Sequence, residues 1–94
     1  MNEADALIDM KVLTEKRTTI RLIVDILEIS LKGVGKTEIV YKANLNFKQA
    51  QKYLDFLLEK GLIAVSSNRR NKYRTTAKGK AFIKRYRETV ELIL

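Results

Sequence analysis

Three residues, Asn44, Leu45 and Asn46, separate two stretches in which apolar side chains recur at helical spacing. A break that short leaves no room for anything but a direct joint between two helices. The first helix is brief, Glu38 to Ala43, with Thr37 as its N-cap and Ile39 and Val40 turned inward. The second opens on Asn46, and Gln49 three residues later completes an Asn variant of the capping box, which satisfies free N–H groups at a helix start. It runs to Gly61, the expected C-terminal stop. Its core face is Phe47, Ala50, Leu54, Leu57 and Leu58, and its outward face shows Lys48, Gln49 and Lys52, with Gln51 and Tyr53 on the flanks and Asp55 and Glu59 further along.

The flanking segments complete the order of elements. Ile20, Ile23, Val24, Leu27 and Leu31 predict a helix over 19–32, capped by Thr18 or Thr19 and stopped at Gly33. After Gly61, the β-prone run Leu62 to Val65, the polar turn Ser66 to Asn71 and the return Lys72 to Thr76 predict a hairpin tipped with Arg69 and Arg70. A final helix from about Ala77 to Leu94 carries a stripe of Phe82, Ile83, Tyr86, Val90 and Ile93. Gly79 inside that helix costs about 1 kcal/mol relative to Ala, so it is expected where the helix packs closely on the hairpin. Tyr73 and Phe82 are read as core or interface groups. With no Pro, no repeat and no linker-like stretch, the chain is expected to form one domain with three parts. Residues 1–16 are an N-terminal extension expected to be helical, 17–76 hold the helices and hairpin, and 77–94 form a C-terminal helix.

Several function classes drop out on residue types. The chain has no Cys and no His, which removes thiolate metal sites, disulfides, the commonest metal ligand and the commonest general base. No catalytic residues, metal or cofactor are expected, and the protein is read as a non-enzyme. The richest apolar run, Leu22 to Leu31, is interrupted by Asp25 and Glu28, so no bilayer-spanning segment is expected. An N-terminus bearing Glu3, Asp5 and Asp9 is too acidic for a secretory signal, and a cytoplasmic location follows. Gly33-Val-Gly-Lys-Thr37 imitates the end of a phosphate-binding loop. The full pattern needs a glycine where Ser30 stands and a preceding strand where a helix is expected, so the run is read as a helix stop, a turn and a cap.

Charge supplies the positive evidence. The formal net charge is +8 on 94 residues, and its distribution is uneven. Residues 1–16 carry two basic and four acidic side chains, whereas residues 66–87 carry nine basic ones and no acid. A surface that merely solubilises a protein intersperses both signs, so a run of this kind points to a polyanion partner.

Helix, short helix, three-residue turn, capped helix, basic hairpin and helix is the order of a winged helix-turn-helix, a mainly α fold with a small β-hairpin and here a C-terminal helix. Ala50, Tyr53, Leu54, Leu57, Leu58, Gly61, Leu62 and Ile63, followed by Tyr73, Thr76 and Gly79, resemble the recognition helix and closing wing strand of prokaryotic winged-helix transcription regulators. The stretch from about Arg17 to Leu94, including IVYKANLNF at 39–47, resembles the archaeal ten-kilodalton winged-helix DNA-binding proteins. That resemblance implies double-stranded DNA as ligand, no cofactor, and a homodimer joined through the C-terminal helix. The groove-reading residues are then Lys48, Gln49, Gln51 and Lys52, and the wing residues Asn68, Arg69, Arg70, Asn71, Lys72 and Arg74. The dimer seam is Phe82, Ile83, Tyr86, Val90, Ile93 and Leu94. The implied role is weakly specific or sequence-tolerant binding on the nucleoid, as transcriptional regulator or chromatin-type protein. A winged helix used as a protein-interaction module is the alternative, and it requires no basic wing.

Overall fold

The computed structural model describes residues 18–66 and 72–94. Helix α1 spans Thr19–Ile29, α2 Lys36–Ala43, α3 Phe47–Glu59, strand β1 Ile63–Val65, β2 Tyr73–Thr75, and helix α4 Ala77–Ile93. The sequence-predicted 1–16 extension and the hairpin tip Asn68 to Asn71 lie outside the described residues.

Local chemistry sets most of the boundaries. Thr18 caps α1, its Oγ1 accepting the Arg21 N–H at 3.2 Å. Helix α1 stops at Ile29, short of the expected residue 32, because β2 takes over the acceptors of its last turn. The Thr75 N–H donates to the Ser30 carbonyl at 3.1 Å, and the Thr75 hydroxyl to the Leu27 carbonyl at 2.5 Å. Gly33 then turns the chain with φ 89°, a left-handed conformation that favours glycine. Val34 runs beside β2, exchanging hydrogen bonds with Tyr73 at 2.9 and 2.7 Å. The segment read as a plain turn therefore adds a one-residue rung to the sheet.

Helix α2 begins at Lys36 with Gly35 as N-cap, so Thr37 is an exposed first-turn residue and not the expected cap. Asn44 closes α2 at φ 55°, and Asn46 opens α3 with both bonds of the capping box in place. Its Oδ1 accepts from the Gln49 N–H at 2.7 Å, and its own N–H donates to the Gln49 Oε1 at 3.2 Å. Gly61, at φ 71°, ends α3 in a Schellman pair: the Gly61 N–H donates to Leu58 O at 3.1 Å and the Leu62 N–H to Leu57 O at 2.9 Å.

Strands β1 and β2 pair antiparallel with Ile63 opposite Thr75 and Val65 opposite Tyr73. Thr76 then caps α4, accepting the Gly79 N–H at 3.1 Å while donating to the Gly61 carbonyl at 2.6 Å. Gly79 sits against the hairpin as the sequence reading expected. A Cβ there would collide with the Leu62 carbonyl and would come within 2.6 Å of Thr75 Cγ2.

Ile26, Leu27, Ile39, Leu54, Leu57 and Ile63 are fully buried, and Ile83 of α4 joins the same cluster. Each such side chain contributes roughly 1.5–3 kcal/mol by leaving water. Two features of the core expected of α1 change. Ile26, outside the predicted stripe, is buried because α1 lies against α2, α4 and β2 at once. Ile20 and Leu31, inside that stripe, are surface residues at the two ends of α1.

Candidate nucleic-acid interface

Helix α3 spends its buried face on Ala50, Leu54 and Leu57, which leaves the opposite side to solvent. Lys48, Gln49 and Lys52 are exposed on its first two turns. Lys48 and Lys52 form no ion pair or hydrogen bond with other described residues, so both charges are available to an incoming anion.

The two glutamines stand differently. Gln49 has already given its amide oxygen to the Asn46 cap. Gln51 is half-buried, and both of its polar atoms are engaged: Oε1 accepts from Lys36 Nζ at 2.6 Å and Nε2 donates to Asp55 Oδ1 at 2.7 Å. Gln51 therefore ties the first turn of α2 to the middle of α3 and holds the angle between the helices. Lys36, singled out by the sequence only as part of the false phosphate loop, also stands 5.6 Å from the centroid of the Phe47 ring. Phe47 itself was expected in the core. At the first position of α3 it lacks a preceding turn to shelter it, and 53% of its surface is exposed.

On the hairpin, Lys72 is exposed and Arg74 lies back over the Gly33 turn, its Nη2 donating to the Lys32 carbonyl at 3.4 Å. Lys78, Lys80, Lys84, Arg85 and Arg87 are exposed along α4. Lys78 Nζ donates to the Lys60 carbonyl at 2.7 Å, a cation at the negative end of α3, and Arg87 pairs with Glu28 at 3.2 Å. Lys80, Lys84 and Arg85 remain without such partners among the described residues.

The expected dimer seam divides in two. Ile83 is only 4% exposed and belongs to the core of its own chain, and Phe82 packs half-buried against that core. The Tyr86 hydroxyl is buried as well. The Tyr86 hydroxyl makes no hydrogen bond among the described residues, and the ion pair that joins α4 to α1 is Arg87–Glu28 at 3.2 Å, so Phe82, Ile83 and Tyr86 are covered without a polar link of their own. These three side chains are occupied within the chain because α4 starts directly on the hairpin. Beyond Tyr86, Val90 and Ile93 are half-buried, while Leu92 and Leu94 are 86% and 83% exposed.

Among the described residues there is no cluster of ligating side chains that could hold a metal ion, and no helix is long and apolar enough to cross a membrane.

This arrangement matches known proteins over most of its length. A protein from Methanocaldococcus jannaschii, described as uncharacterised, is 34% identical over 79 residues, which cover 83% of this chain and 78% of that protein. The crystal structure of Sso10a-2, a DNA-binding protein from Sulfolobus solfataricus, superposes with a TM-score of 0.72 at 34% identity, covering 81% of each chain. CouR from Rhodococcus jostii has the same fold at 18% identity, with a TM-score of 0.67 over 95% of this chain and 69% of that one. The family model described as winged helix-turn-helix matches residues 16–94, and the chain belongs to the winged helix-turn-helix family.

Proposed function

We propose that this chain binds double-stranded DNA as a homodimer, with α3 in the major groove and the hairpin wing along the phosphate backbone. The observation that carries this reading is the outward face of α3. Lys48 and Lys52 stand exposed and unpaired among the described residues on the helix that follows the short turn, where a winged helix-turn-helix meets base edges and flanking phosphates. The similarity to a Sulfolobus DNA-binding protein supports the ligand class, and the acid-free run over 66–87 supports a mode dominated by charge. Arg69 and Arg70, between the two strands in sequence, are assigned to the wing contact, together with Asn68, Asn71 and Lys72. The reading includes no catalysis and no cofactor.

Two lysines offer point charges where a bidentate amide or guanidinium would offer a code, so the binding is weakly specific. That suits a broadly acting regulator or a chromatin-type protein of the nucleoid. The dimer rests on Leu92 and Leu94, apolar groups that the described residues of their own chain leave uncovered and that a second α4 would cover by two-fold symmetry. Replacing both Lys48 and Lys52 by Ala and measuring affinity for a mixed-sequence duplex by fluorescence anisotropy tests the groove assignment. A loss of at least about tenfold is expected from two charge-assisted contacts. Unchanged affinity would remove α3 from the interface.

A further inference from the structure

We infer that Phe47 is a specificity-determining residue that reads the 5-methyl group of thymine at the leading end of α3. The inference rests on the DNA-binding reading above and narrows it to one chemical feature of the base pair.

The leading turns of α3 have few groups left to offer a base. A glutamine recognises adenine with both ends of its amide, the oxygen accepting from N6 and the nitrogen donating to N7. Gln49 has its oxygen in the capping box at 3.2 Å, and Gln51 has both polar atoms in bonds to Lys36 and Asp55 at 2.6 and 2.7 Å. Reading adenine with either would break a bond that holds the helix start or the corner between α2 and α3. Lys48 and Lys52 supply charge without a fixed fork of donors. The group that remains is the ring of Phe47, at the first position of the helix and 53% exposed.

Among the described residues, no side chain covers this exposed phenyl ring. The Lys36 ammonium, itself held by Gln51, lies 5.6 Å from the ring centroid and is the cation that flanks it. The first residues of a recognition helix are the ones that approach base edges. Among the four bases only thymine presents an apolar group in the major groove, its C5 methyl, and Phe is one of the side chains that contact it. Ring and methyl then remove each other from water, and the flanking lysines hold the duplex close. The expected outcome is a preference for A·T-containing sites that depends on a methyl group and not on a hydrogen bond.

The test replaces every thymine of one A·T-rich duplex by deoxyuracil, which deletes the methyl and keeps all donors and acceptors. Anisotropy titrations of the full chain compare the two duplexes for wild type, Phe47→Ala and Phe47→Leu. Wild type is expected to bind the thymine duplex roughly three- to fivefold more tightly for each methyl buried. The ratio should fall to about one in Phe47→Ala and keep an intermediate value in Phe47→Leu, with circular dichroism confirming that both variants fold. Equal affinity of wild type for the two duplexes overturns the inference while leaving DNA binding standing. The same ratio in wild type and Phe47→Ala also overturns it, since the methyl is then sensed elsewhere or through duplex shape. Failure of wild type to bind either duplex overturns the DNA-binding reading itself and this inference with it.

Discussion

Helices α3 and α4 carry apolar residues at the same period, but the domain covers the middle of the first and only the start of the second. The apolar face of α3 closes on Ala50, Leu54 and Leu57, all without exposed surface, and its polar side is left as a working face. Helix α4 is covered as far as Ile83 and Tyr86 and then runs on to Leu92 and Leu94 in open water. An amphipathic stripe thus states that a helix needs a partner surface without stating which molecule provides it. For the middle of α3 that surface is the rest of the chain, for Phe47 at its start we assign it to DNA, and for the end of α4 to a second copy.

Leucines on the two helices should therefore respond oppositely to truncation. Leu54→Ala in α3 should cost about 3 kcal/mol of unfolding free energy, within the range for fully buried leucines, as measured by urea denaturation. Gly79→Ala probes the covered part of α4 and should cost about 2 kcal/mol. Its Cβ meets the Leu62 carbonyl, a backbone atom that cannot turn aside, which outweighs the gain in helix propensity. Leu92→Ser with Leu94→Ser should change the stability of each folded domain by no more than about 0.5 kcal/mol. It should instead convert a dimer to a monomer by light scattering after size exclusion. A wild-type mass near one chain at tens of micromolar protein would contradict the assignment of the α4 end.

What was legible in the sequence follows from how local each cause is. The Asn46 and Gln49 box and the stop at Gly61 are bonds between residues a few positions apart and stand as read, and of the two threonines read as caps for α1 it is Thr18 that serves. Gly79 was legible because a helix interior rarely accepts glycine without a packing reason, and the Leu62 carbonyl is that reason. Apart from the α2 cap, which falls on Gly35 and not on Thr37, most of the misread features of the fold are bonds or contacts between distant segments. Val34 joins the sheet only through Tyr73, α1 ends early only because Thr75 reaches its last carbonyls, and Ile26 is buried only because three elements surround α1. At the candidate site the lysines were legible as exposed charges. The engagement of Gln51 was not, because its partner Lys36 lies on another helix, 15 residues away in sequence. Phe47 was misassigned because helical periodicity locates an angle around the axis and says nothing of where the helix begins.

The central claim, that a charged face of this domain grips duplex DNA, is tested most directly by the salt dependence of affinity. Titrating a mixed-sequence duplex with wild type across a salt series should give log affinity against log salt a slope of roughly −4 to −5 per protomer, the value for 4 to 6 neutralised phosphates at about −0.9 each. Replacing Arg69 and Arg70 by Ala should weaken binding to all duplexes alike and make the slope shallower by up to about 2, because phosphate contacts position without specifying sequence. A wild-type slope near zero would contradict the claim.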